Sequence, residues 1–199
     1  MDNKQEIISI LAATGRPGIE NLITYLQETD FFTAPASTKY HGAYEGGLAE
    51  HSLHVWHILQ EKNNYYSLGL KPETIGITAL LHDLCKINFY TRDTKNVLKG
   101  KKDNGYGKLV NDWQEEEVWV CKDQFPVGHG EKSVITALKF IQLTDLEIAM
   151  IRWHMGGYEP KDSYRDMGNA VEMYPFVVAL QTADMESSHL LDLEVQSDG

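Results

Sequence analysis

Residues 82–86 contain side chains that could bind a metal ion and a phosphate at one place. His82 and Asp83 follow an apolar run, and Lys86 lies one helical turn later. Neighbouring residues on a helix diverge by about 100°, so the imidazole and the carboxylate could flank one cation beside the helix end. Lys86 would then place its ammonium over the same patch. The alternative is a surface His-Asp pair beside a solvated lysine, and the rest of the chain must decide between the two.

Three further histidines and one aspartate interrupt patterns that predict buried helices. His51 lies on an apolar stripe, where an imidazole needs partners for its ring nitrogens. Asp184 lies on an apolar helix, where a carboxylate is rarely buried without a cation or a hydrogen-bond donor. His129 begins one predicted helix and His154 ends another. Each could alone be a structural residue, but together they could complete a metal site.

Histidine and carboxylate ligands suit divalent first-row metals such as Mn, Fe, Co or Ni, and Mg is a further candidate. No thiolate is among the candidates, which argues against a structural zinc site. Four of the residues would satisfy one ion, and all six favour two ions bridged by Asp83. Two cations about 3.5–4 Å apart can activate a water and stabilise an in-line phosphoryl displacement. The candidate ligands are His51, His82, Asp83, His129, His154 and Asp184.

Hydrophobic periodicity predicts helices that carry these residues. His51 falls on the buried stripe of its helix, whereas His54 and His57 drift to other faces and are disfavoured as ligands. A capping box at residues 144–147 predicts the start of the helix that ends at His154. The predicted helices cover residues 4–13, the region of 22–26, 48–61, 72–84, 130–141, 144–154 and 174–184.

Residues 89–126 differ from the helices around them. A turn signal lies at 103–105, and alternating residues over 117–123 predict a strand. We therefore expect a β-hairpin inserted between helices and overhanging the site. Its basic stretch could contact a substrate phosphate, although a solvated loop is the simpler interpretation; the lysines concerned are Lys99, Lys101 and Lys102.

The length of 199 residues and the hydrophobic fraction of 42% predict a single globular domain over 1–199. We expect residues 1–30 to form a helical N-terminal cap and 194–199 to be a frayed tail. The net charge of −11 argues against broad binding of long nucleic acid. Cys85 is expected to be a buried thiol. The polar N-terminus and the absence of a long apolar run predict a cytoplasmic protein without a membrane partner.

The chain resembles the HD-domain metal-dependent phosphohydrolase superfamily. The order His51, His82-Asp83 and Asp184 on helices carries this resemblance. Four segments sharpen it towards the catalytic domain of bacterial HD-type 3′-5′ exoribonucleases and their small phage relatives, over about residues 30 to 190. These segments are AYEGGLAEHSLHV (43–55), LHDLCK (81–86), FPVGHGE (125–131) and RWH (152–154).

The resemblance implies an all-α HD-domain helical bundle with a small β-hairpin insertion. It implies one ion held by His51, His82, Asp83 and Asp184, and a second ion that Asp83 shares with His129 and His154. Lys86 would contact the scissile phosphate. Two features depart from the family pattern: residues 1–30 are too short for the OB-fold that precedes the exoribonuclease domain, and Cys85 stands where relatives often have glycine.

The predicted activity is hydrolysis of phosphoester bonds in nucleotides or short oligonucleotides by a metal-activated water, with Asp83 and Lys86 as catalytic residues. A mononucleotide 5′-nucleotidase, a non-catalytic nucleotide-sensing module and a helical scaffold with buried histidines are the alternatives. The sequence leaves the base, the sugar, the metal and the oligomeric state open. The residues expected to bind the substrate are Lys86, Tyr44, Phe89, Tyr90 and Trp153.

Overall fold

The structure is a computed structural model that describes residues 2–192. Two strands, β1 (Tyr90–Asp103) and β2 (Leu109–Cys121), form an antiparallel hairpin in a chain that is otherwise mostly helical, which confirms the prediction of a mostly helical fold with a hairpin. The predicted tail at 194–199 lies outside the described residues. The helices are α1 (Asn3–Ala13), α2 (Ile19–Glu28), α3 (Gly47–Tyr65), α4 (Pro72–Leu81), α5 (His129–Leu138), α6 (Asp145–Arg152), α7 (Tyr164–Met173) and α8 (Phe176–Glu186).

Helix α4 is central because its sequence is apolar on every side. Residues 74–81 are all buried, and the helix packs against α1, α3 and α6. Pro72 lies in the first turn, where its missing N–H costs no hydrogen bond. The α-helix ends at Leu81, earlier than predicted, because Asp83 adopts φ −106° and ψ 22° and a 3-10 turn follows. His82 and Asp83 are therefore presented at the end of a buried helix.

Two apolar clusters hold the helices together, and α3 and α4 contribute to both. The first cluster joins them to α1, α2 and α5, and the second joins them to α6 and α8. Since burial of each large apolar side chain stabilises the fold by about 1.5–3 kcal/mol, both clusters fix the helices that carry the candidate ligands. The N-terminal helices take part through Ile7, Leu11, Leu22 and Leu26, which are fully buried.

A buried ion pair ties the turn after α1 to the start of α6. Glu147 is fully buried and accepts two hydrogen bonds from Arg16, at 3.0 and 2.8 Å. Glu147 also completes the capping box with Thr144, which confirms that prediction. The pKa of Glu147 is lowered because the Arg16 hydrogen bond and the backbone of Thr144 outweigh the opposing effect of burial. This contact fixes the start of the helix that leads to His154.

The hairpin lies within the predicted segment 89–126, and its second strand is longer than the strand predicted over 117–123. Its register runs from Tyr90 opposite Cys121 to Asp103 opposite Leu109, with a bulge between Leu98 and Gly100. At about 3.3 Å per residue, β1 extends about 40 Å from its base. Helix α7 was not predicted, since it has no buried residue. In the described part of the chain, no helix has both the length and the apolar character needed to cross a membrane.

Candidate metal centre

The structure brings the six candidate ligands together, although they come from five helical segments. The Nε2 atom of His51 lies 3.2 Å from Asp184 Oδ1 and 3.2 Å from His82 Nε2. Apart from Asp184 and His129, the ligand side chains are almost completely buried. The six are His51 on α3, His82 and Asp83 after α4, His129 at the start of α5, His154 after α6, and Asp184 on α8.

Close packing of α5 against the end of α6 brings His129 next to His154. A Cβ atom on Gly130 would lie 2.1 Å from the carbonyl oxygen of Arg152, so only glycine allows this approach. The ring centroids of the two histidines are 5.2 Å apart as a result. Gly130, in the sequence HGE, is therefore required for the close packing of α5 against the end of α6.

Asp83 presents its two carboxylate oxygens to different imidazoles. Its Oδ2 lies 3.4 Å from His82 Nε2 and 3.7 Å from His51 Nε2. Its Oδ1 lies 2.8 Å from His129 Nε2 and 3.6 Å from His154 Nε2. One carboxylate between two pairs of imidazoles is the arrangement that a bridging ligand requires.

Backbone carbonyls determine which ring nitrogen of two histidines faces the site. His82 Nδ1 donates to the oxygen of Ala79 at 2.8 Å, and His154 Nδ1 donates to the oxygen of Ile151 at 2.7 Å. Since a carbonyl oxygen only accepts, each Nδ1 carries the hydrogen and each Nε2 offers its lone pair to the centre. This orientation is typical of metal-binding histidines.

Asp192 orients His51 in the same way, and sequence reasoning missed it. Its Oδ2 accepts from His51 Nδ1 and from Ser187 Oγ, each at 2.7 Å, and its Oδ1 accepts from His54 Nδ1 at 2.5 Å. His54 therefore faces Asp192 rather than the metal centre, and His57 lies outside the site near Glu6. Asp192 gave no sequence signal, because a single carboxylate after two leucines fits no motif.

The arrangement fits a cation. His51 and His82 point two Nε2 lone pairs at each other across 3.2 Å, which is repulsive unless a proton or a metal ion lies between them. Within the described residues, His154 Nε2 is buried and has no hydrogen-bond partner. Ligand atoms of three overlapping groups each lie within 4.8 Å of one another: His51/His82/Asp184, His82/Asp83/His154 and Asp83/Cys85/His129. The nitrogen and carboxylate donors suit divalent metals.

The carboxylates of the site stay ionised although they are buried. Burial acts to raise the pKa of Asp83, but the charge of Lys86 and the hydrogen bond with His129 hold it well below its usual range. Burial likewise opposes ionisation of Asp184, whose pKa is lowered by its hydrogen bond to His51. Burial alone would lower the pKa of His51, but Asp184 and Asp192 raise it to about 9. In the absence of a metal ion, a proton on His51 therefore balances part of the carboxylate charge.

Lys86 is not the solvated surface lysine of the alternative interpretation, since it is only 9% exposed. Its Nζ lies 2.6 Å from Asp83 Oδ2. Burial acts to lower the pKa of Lys86, but the charge of Asp83 outweighs this and raises it, so the ammonium stays charged. A buried permanent cation thus lies beside the ligands.

Two cavities open onto the centre and share Lys86 and His129. The larger, of about 840 Å³, includes Asp83, His154 and Asp184 in its wall. The smaller, of about 230 Å³, is lined by the shared pair together with Cys85, Phe89, Asp123, Pro126, Gly128 and Lys132. The larger cavity also has wall residues that the sequence did not reveal, among them Lys39, Tyr40, His41, Tyr158 and His189.

Of the five residues expected to bind substrate, three line the cavities and two do not. Tyr90 lines the larger cavity and Phe89 the smaller one. Tyr44 and Trp153 line neither: the Tyr44 hydroxyl donates to Glu50 at 2.8 Å, and the Trp153 ring stacks on the Arg152 guanidinium at 3.9 Å. Their substrate role stays a prediction that the cavities do not support.

The hairpin does not overhang the centre as expected. Only Tyr90 among its strand residues lines the larger cavity, and none of them lines the smaller one. The lysines at its far end lie about 30–40 Å along the strand from Tyr90. Two of them pair within the hairpin, Lys99 with Glu116 and Lys102 with Asp112.

Comparison with known proteins adds one finding to this geometry. A family model described as "HD domain" matches residues 48–188, a span that contains all six candidate ligands. No curated protein and no solved structure matched the chain.

Proposed function

The chain belongs to the HD-domain family, and from that premise we propose that it hydrolyses phosphoester bonds in nucleotides or short oligonucleotides. HD domains bind divalent metals and imply metal-dependent phosphohydrolase activity. The observation that carries the proposal is Asp83, whose two oxygens face separate pairs of imidazoles. This supports two ions rather than one.

In the proposed centre, His51, His82, Asp83 and Asp184 hold one ion, and Asp83, His129 and His154 hold the other. Bound divalent ions supply a water of lowered pKa and polarise the phosphate. The protein contributes the fixed orientation of the ligands, through the carbonyls behind His82 and His154 and through Asp192 behind His51. That preorganisation is what makes a charged site effective.

Lys86 is the proposed phosphate contact. Its ammonium lies beside Asp83 and in the wall of both cavities, so a phosphate at the centre would meet it from either side. Burial makes the interaction stronger than it would be in water. His41 lines the larger cavity, and burial lowers its pKa to about 4, so it presents a neutral imidazole there.

The larger cavity supports a short substrate. A volume of about 840 Å³ is within the range of roughly 300–1,000 Å³ that holds one small organic ligand. Tyr40 and Tyr158 in its wall are each 70% exposed and could stack on a base, which is worth about 1–3 kcal/mol per base. The net charge of −11 and the paired lysines of the hairpin offer little to a long polyanion.

The resemblance to HD-type exoribonucleases and their phage relatives implies a more specific activity, in which nucleotides are removed one at a time from a 3′ end. The second candidate is a mononucleotide 5′-nucleotidase, which would need only one ion; the two pairs of imidazoles around Asp83 argue against it. A nucleotide-sensing module without turnover would be expected to lack a ligand, and each of the six positions carries one.

The test is hydrolysis by purified protein with Mn²⁺ of a panel of mononucleotides, cyclic dinucleotides and di-, tetra- and dodecanucleotides. We expect chelator-sensitive turnover with little change in kcat/KM as the strand lengthens, and loss of turnover in Asp83→Asn. A steep rise of kcat/KM with strand length would favour an exoribonuclease. Hydrolysis of mononucleotides alone would favour a nucleotidase. Binding without turnover would identify a sensing module.

A further inference from the structure

We propose that the smaller cavity is a second substrate subsite, which takes the sugar-phosphate on the leaving side of the scissile phosphorus. The preferred substrate is then a phosphodiester with a group on both sides, rather than a phosphomonoester. This inference rests on the proposed function and specifies its substrate class.

The first support is the wall that the cavities share. Lys86 and His129 line both, and they are the proposed phosphate contact and a proposed metal ligand. A phosphate held between them has open space in two directions. A monoester uses only one of these directions, whereas a diester uses both.

The second support is the pair Phe89 and Tyr90, which begins the hairpin. The two rings are neighbours, with centroids 5.0 Å apart and planes at 81°, yet each lines a different cavity. The Tyr90 hydroxyl donates to the oxygen of Ala36 at 3.1 Å, which fixes the ring on its side. The start of the hairpin therefore supplies one aromatic wall to each cavity.

The third support is the chemistry of the smaller cavity. Lys132 Nζ lies 5.1 Å from the centre of the Phe89 ring and 2.5 Å from Asp123 Oδ1. An ammonium beside an aromatic face suits the phosphate and sugar of a nucleotide, and an incoming phosphate would compete with Asp123 for Lys132. The volume of about 230 Å³ is below the roughly 300 Å³ at which sites for whole small ligands begin. The cavity thus suits part of a leaving nucleotide and not a longer strand.

The reaction that this arrangement allows is hydrolysis of a phosphodiester by one water molecule. The oxygen of water forms a new bond to phosphorus, and the P–O bond to the group in the smaller cavity breaks. The departing oxygen takes a proton and leaves as an alcohol, while a phosphomonoester remains in the larger cavity. No oxidant or further reactant is needed.

The experiment compares kcat/KM for the 5′-phosphorylated dinucleotide pApA, whose leaving nucleotide carries a phosphate, and for AMP in the parent, Lys132→Ala and Phe89→Ala. We expect the parent to prefer the dinucleotide, and each variant to reduce the ratio of the two values about tenfold, mainly through KM of the dinucleotide. Lys139→Ala is the matched control, since Lys139 directly follows α5 and its Nζ lies 5.8 Å from the Phe125 ring, outside the cavity, and it should keep the parental ratio.

Binding of a phosphorothioate-linked dinucleotide, measured by calorimetry, separates the two proposals. If nothing is hydrolysed but Lys132→Ala weakens this binding, the proposed activity fails and the subsite stands. If hydrolysis occurs but neither substitution changes the ratio or the binding, the subsite is refuted while the activity stands. A parent that hydrolyses AMP as well as the dinucleotide would also overturn the inference.

Discussion

Replacement of Asp192 by asparagine should weaken metal binding about 10- to 100-fold without unfolding the protein. Asp192 is only 3% exposed, and its carboxylate accepts hydrogen bonds from His51, His54 and Ser187. An amide has the same size but only one accepting oxygen. Its NH₂ group must therefore face one of the two Nδ1–H donors, so that either His51 or His54 loses its partner.

The magnitude follows from the role of the contact. His51 Nδ1 donates to Asp192 so that Nε2 points at the centre, and loss of such a partner typically costs 10- to 100-fold in metal affinity. At a metal concentration 100 times the parental Kd, binding stabilises the fold by about 2.7 kcal/mol, and the weaker Kd would reduce this to about 0.4–1.4 kcal/mol. The difference is large enough to measure by urea unfolding.

The assay titrates chelator-treated protein with Mn²⁺ by calorimetry and repeats urea unfolding with and without Mn²⁺. Asp166→Asn is the matched control, because Asp166 is an exposed aspartate on α7 away from the centre. Asp192→Asn should lose affinity and metal-dependent stabilisation, whereas the control should keep both. Parental Mn²⁺ affinity in a well-folded Asp192→Asn would show that Asp192 does not act through His51.

Three further predictions concern other side chains of the site. His129→Ala should lower the metal content from two ions to one while the fold is retained, and elemental analysis equal to the parent would make His129 structural. Lys86→Ala should lower kcat about 10²–10³-fold with metal binding retained, and near-parental turnover would exclude a phosphate contact. Cys121 is exposed and should react with a thiol reagent in the native protein. Cys85 should react only after unfolding, because burial raises the pKa of its thiol. Two reactive thiols in the native state would contradict this prediction.

The sequence predicted the helices whose burial leaves a periodic pattern. Helices α3 and α8 carry apolar faces, α4 is an apolar run on every side, and the capping box marked the start of α6 through contacts within one turn. Helix α7 has no buried residue, so no apolar stripe in the sequence predicted it. The hairpin was expected within residues 89–126, but the extent of its two strands was not, because exposed strands show little alternation of polar and apolar residues.

The candidate ligands could be recognised in the sequence, whereas the residue that orients His51 and the residues of the cavity wall could not. A histidine or aspartate on an apolar helix contradicts its local pattern, so His51 and Asp184 were visible in the sequence alone. Asp192 acts on His51 from 141 positions away, and no local pattern connects the two. The cavity residues Tyr40 and Tyr158 lie in a loop and in a short 3-10 turn, where neither spacing nor composition distinguishes a wall residue from a surface one.

The charges of the site connect the metal proposal to the substrate proposal. Burial acts to raise the pKa of Asp83, Asp184 and Asp192, yet Lys86 lowers that of Asp83 and neighbouring imidazoles lower those of Asp184 and Asp192. All three are therefore ionised beside the ammonium of Lys86. With the proton on His51, one net negative charge would still be buried, and this is costly unless cations share the site. Divalent ions would take the place of the proton on His51 and reverse the sign of the centre. A centre made positive in this way attracts a phosphate, whereas the same carboxylates without cations would repel it.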